Sequence, residues 1–148
     1  MEAYLRCMGV PHAAIQAQVA GEQVYQSRNV IALDESTFVV HKRTHINNFT
    51  ESYDLDEERV TPTRHGARRS TVSLGDEGRL DGFAIATTVP TAAGDVDMIE
   101  ARQLIEGGAT HAQEIRLMNR STDEQSVTTR VWTRVPMTES DEAQLVAC

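Results

Sequence analysis

The sequence predicts a mainly β protein, an antiparallel sheet closed into a barrel or stacked as a sandwich, with its helices confined to residues 1–20. Three observations carry this. The apolar pattern is helical only to about Ala20, it changes to strand alternation after Gly21, and short β-branched segments then recur between Gly, Pro, Asp or Asn clusters. No helical segment follows to make the sheet doubly wound. At 148 residues the chain is long enough to bury a real core in one domain, expected over 1–135, with an acidic tail over 136–148.

Within the opening helix Tyr4, Leu5 and Met8 form a narrow apolar face, and Gly9 stands where a helix C-terminus favours glycine. Val10-Pro11 opens a second short helix, because proline suits the first helical position. The pair is a helix-turn-helix in geometry alone: residues 12–19 hold no Lys or Arg to touch phosphates. Strands are expected over 24–32 and 36–44, folded back at Leu33-Asp34-Glu35, and then over 49–55, 68–74, 79–88, 98–105, 112–118 and 126–135, about eight in all. Residues 89–97 read as a long hairpin connection.

The last strand, Ser-Val-Thr-Thr-Arg-Val-Trp-Thr-Arg-Val, is the clearest and holds the chain's one tryptophan. Alternation puts Thr128, Arg130, Trp132 and Arg134 on one face. If that face lies inside, the interior must hold something polar, such as water or an anion. Arg102, mid-strand before a hairpin, fits a solvated edge equally well in isolation. Paired with Arg130 across a closing barrel it would make a two-point cationic site, and two guanidinium groups suit a carboxylate through their planar forked donors.

A net charge of −8 and a pI near 5.0 argue against nucleic acid or an anionic membrane as partner. No apolar run reaches spanning length and the N-terminus lacks signal-peptide regions, so no stable membrane insertion and a cytoplasmic location are expected. Cys7 and Cys148 lack metal-type spacing and read as free thiols, and no cofactor is expected. Enzymatic constellations are weak. His41 and His45 would lie about 13 Å apart on one strand face, His65 sits in a turn, and Glu57 and Glu58 point to opposite faces. No nucleophile elbow, phosphate loop or zinc motif is present.

In their order and spacing, four segments resemble the intracellular lipid-binding proteins, the fatty-acid-binding and cellular retinoid-binding family. They are Tyr4-Leu5-Arg6-Cys7-Met8-Gly9-Val10 with Ala13-Ala14-Ile15-Gln16, residues 37–55 with their acidic exit Asp56-Glu57-Glu58, Arg102-Gln103-Leu104-Ile105-Glu106-Gly107, and Thr129-Arg130-Val131-Trp132-Thr133-Arg134. The resemblance implies a calycin-like, up-and-down antiparallel barrel with a helical lid. It also implies non-enzymatic binding and transport of a long-chain fatty acid or related amphiphile, with no cofactor or metal. Its carboxylate would meet Arg102, Arg130 and Trp132, the last standing where tyrosine is usual, and Tyr4 would belong to the lid. The family's strand before the first helix is absent here, so another segment or a second copy, as in a homo-oligomer, would fill its place. The competing expectation is a barrel without ligand that serves as a protein-interaction module. Displacement of a fluorescent fatty acid separates the two.

Overall fold

The computed structural model describes residues 2–24, 27–44, 47–75 and 82–146. It is mainly β, with α1 (Glu2–Cys7) and α2 (His12–Val24) leading into nine strands among the described residues. These are β1 (Arg28–Leu33), β2 (Thr37–Arg43), β3 (Asn48–Asp54), β4 (Arg59–Thr63), β5 (Gly66–Leu74), β6 (Gly82–Thr91), β7 (Gly94–Ile105), β8 (Thr110–Asn119) and β9 (Gln125–Thr133), and a helix α3 (Glu139–Val146) follows them. Every ladder is antiparallel and joins strands adjacent in the chain, in the orders β1-β2-β3 and β4-β5-β6-β7-β8-β9. This is the up-and-down arrangement.

The two sheets enclose a common interior. Phe38, Val40 and Tyr53 of the smaller sheet pack with Val72, Phe83 and Ile85 of the larger, and the Phe38 and Phe83 rings approach to 4.5 Å between centroids. A second cluster, Cys7, Val96, Ile115 and Leu117 with Tyr4, Met8 and Met98 against it, seats α1 on β7 and β8. Burial pushes the Cys7 thiol up. Asn119, at the end of β8, ties the helix to the sheet: its Nδ2 donates to the Cys7 carbonyl at 3.2 Å, and its Oδ1 accepts from the N–H groups of Ser121 and Thr122.

Gly9 ends α1 as expected, with φ 73° and Val10 N–H bonded to the Leu5 carbonyl at 3.0 Å. A Cβ there would stand 2.7 Å from that of Ala93, so both conformation and space require glycine. The hairpin at Asp34 also forms as expected. Its carboxylate accepts from the N–H groups of Ser36 and Thr37 at 2.7 Å each, and these bonds hold its pKa down to about 2.

Three expectations are corrected. The strand expected from residue 24 starts at Arg28, because α2 runs on through Val24. An additional strand, β4, contains Pro62, which a sheet edge tolerates because the missing N–H removes no interior ladder bond. The connection expected over 89–97 is instead a tight turn at Ala92-Ala93: Val89 pairs with Val96 and Thr91 with Gly94. The acidic tail is helical. It forms α3, where Asp141 accepts from the Thr138 N–H at 2.9 Å and pairs with Arg28, which together hold its carboxyl down to about 2. His45, Cys148 and residues 79–81 of one expected strand lie outside the described residues.

No ladder among the described residues joins β3 to β4 or β9 to β1. Side chains bridge the first seam: Arg59 Nη1 donates to the Ser52 carbonyl at 2.7 Å, and Arg68 reaches Glu51 and the Tyr53 hydroxyl, both at 3.3 Å. The second seam lies between the first strand and the last. The Arg28–Asp141 pair ties α3 to β1 beside it.

Candidate ligand-binding site

The site is built on one row across three strands. Arg102 of β7 is opposite Gln113 of β8, and Gln113 is opposite Arg130 of β9. With neighbouring strands about 4.8 Å apart, the two arginine backbones stand about 10 Å from one another on the same face. Arg102 and Gln113 are each 5% exposed and Arg130 is half-buried. Trp132, one inward position further along β9, donates its indole N–H to Gln113 Oε1 at 2.8 Å. The Phe83 ring lies 6.0 Å from the Arg102 guanidinium carbon, within cation–π range.

Glu100, one inward position before Arg102 on β7, completes the network and is 6% exposed. Its Oε1 accepts from Arg102 Nε and from Gln113 Nε2, the latter at 2.9 Å. Arg102 Nη1 is fully buried and has no hydrogen-bond partner among the described residues. From above, Tyr4 of α1 lines the same space. Burial and the Glu100 carboxylate push its phenol up, against the opposite pull of Arg68 and Arg130, so its hydroxyl stays a neutral donor.

These residues border a partly open interior cavity of about 370 Å³ beneath the helices, and Tyr4, Arg102, Arg130 and Trp132 all line it. Its far wall holds Glu51, whose carboxylate meets Lys42 at 3.2 Å and Arg68 at 3.3 Å. Burial opposes its ionisation, but the two cations hold its pKa below the ordinary value. Burial pushes the adjoining Tyr53 phenol up to about 12. The cavity wall thus carries four cationic side chains, Lys42, Arg68, Arg102 and Arg130, against two carboxylates, Glu51 and Glu100. A second space, a slot of about 710 Å³ between β1 and β9, is lined by apolar groups including Ile31, Leu33, Phe83, Leu104, Val131 and Met137. The two share Ser27, Asn29, Arg102 and Trp132 along their walls. His111 also faces the slot, and burial, helped by Arg102, lowers its pKa.

Sequence reasoning missed Glu100, Gln113, Lys42, Glu51 and Arg68. For Glu100 a signal existed, since it shares strand parity with Arg102. The others depend on register between strands.

A strand-built interior beneath a helical pair is the fold of the fatty-acid-binding proteins. No family model matches the chain, and no curated protein sequence matches it. Solved structures do. A REP1-NXSQ fatty acid transporter superposes with a TM-score of 0.67 at 14% identity, over 93% of this chain and 89% of that one. The Schistosoma mansoni fatty acid binding protein, solved in complex with arachidonic acid, gives 0.66 at 15% identity, over 91% and 87%. The fatty-acid-binding protein of Drosophila melanogaster brain gives 0.63 at 13% identity, over 90% and 88%. At these identities the likeness is one of fold.

Proposed function

We propose that the protein is a non-enzymatic carrier that binds a fatty acid or similar hydrophobic carboxylate in its interior and transports it in the cytoplasm. The observation that carries this is the excess of cationic side chains on the cavity wall within a chain of net charge −8. Such a wall favours an anion. The interior cavity and the adjoining slot each fall in the size range of small-molecule sites, about 300–1,000 Å³. Each methylene withdrawn from water contributes about 0.8 kcal/mol, so the acyl chain supplies affinity while Arg102, Arg130, Trp132 and Tyr4 orient the head. The names of the superposed proteins support the reading, since they transport or bind fatty acids.

Titrating fatty acids, retinoids and bile-salt-like amphiphiles while following Trp132 emission tests it. A saturable change for at least one class, matched by displacement of a fluorescent fatty acid, is expected. No change and no displacement would remove the carrier. The alternative, a protein-interaction module, is favoured by Val127 and Val131, exposed on β9 beside the seam that carries no ladder among the described residues, and predicts that null result.

A further inference from the structure

Arg102 presents two demands that the structure treats differently. Its charge is met by Glu100, a carboxylate as buried as itself and held in place by Gln113 Nε2. Its Nη1 is not met: it is fully buried, and no acceptor among the described residues reaches it. What is missing at Arg102 is therefore an acceptor atom and not a counter-ion. A ligand carboxylate brought to Nη1 would also meet the Glu100 charge, and like charges this close disfavour one another. A hydroxyl, aldehyde or amide oxygen would fill the same donor without that repulsion.

We infer that Glu100 is the head-group selector of the cavity, a built-in counter-ion that turns Arg102 into a donor for an uncharged oxygen. It opens the site to long-chain alcohols, aldehydes and amides beside acids. The inference rests on the lipid-binding reading and specifies its ligand class. Trp132 and Gln113 belong to the same device: the indole N–H occupies Gln113 Oε1, so that the amide turns its Nε2 toward Glu100 and keeps that carboxylate in the pair.

The test measures palmitic acid and hexadecanol by displacement of a fluorescent fatty acid from the wild type, Glu100→Gln and the double variant Glu100→Leu/Arg102→Leu. The wild type is expected to bind acid and alcohol within about tenfold of each other. Glu100→Gln leaves Arg102 without its counter-ion, and the acid-to-alcohol preference should rise about tenfold or more. Should that variant fail to fold, the double variant decides, since an apolar pair in place of a buried ion pair is generally tolerated. Both affinities should then fall together, with their ratio held within about threefold. An unchanged ratio in Glu100→Gln, or a double variant that loses at least tenfold for the acid alone, overturns the inference. Binding of neither lipid by the folded wild type is a different outcome: it overturns the carrier reading, and the selector with it.

Discussion

Replacing Arg102 alone by leucine is expected to destabilise the fold by about 3–5 kcal/mol, one of the largest effects of any single change. The substitution strands Glu100, which is 6% exposed and would keep only Gln113 Nε2 as a donor among the contacts seen at Oε1. The magnitude comes from the isolated buried charge, not from the strength of the ion pair. Removing both partners should therefore recover most of the loss. Urea unfolding of Arg102→Leu and Glu100→Leu/Arg102→Leu reads this out, and equal midpoints for wild type and Arg102→Leu would show that water reaches the pair.

Arg130→Leu should act on binding more than on stability, because Arg130 is half-buried where Arg102 is closed off. A hydrogen bond to a charged group is worth about 1.5–3 kcal/mol, so affinity for a fatty acid should fall about 10- to 100-fold. Its methyl ester, which brings no charge to the row, should lose about threefold or less. Equal losses for acid and ester would mean that Arg130 shapes the cavity without holding the head group.

Alternation along single strands made much of this site legible in the sequence. Parity alone set Arg130 and Trp132 on one face, and order along the chain suggested that Arg102 would share their interior. The register that makes a row of them was not legible. Arg102 and Gln113 are paired through a hairpin whose turn includes Gly107, at φ 68°, and nothing local in either strand announces the partnership. The same holds for Glu51 with Arg68, a contact across a seam that no ladder among the described residues bridges. Local signals misled where a breaker is harmless in context. Pro62 hid β4 because it sits at a sheet edge, and the Gly and Pro near Ala92 suggested a long loop where the ladder runs up to the turn. The tail's acidic residues fit poorly in a strand, but Thr138 and Asp141 form a helix cap, and Arg28 gives Asp141 a partner that no local pattern could supply.

The central claim is that the interior receives the head group of an anionic amphiphile on its arginine-bearing row. Carbon-13 NMR of a fatty acid labelled at its carboxyl carbon tests this most directly. Bound to the protein, the carboxyl should give a resonance distinct from free lipid, and its pKa should lie below that of the free acid, because the surplus cations favour the ionised form. A bound carboxyl that titrates like the free acid, or no bound resonance at saturating lipid, would contradict the account.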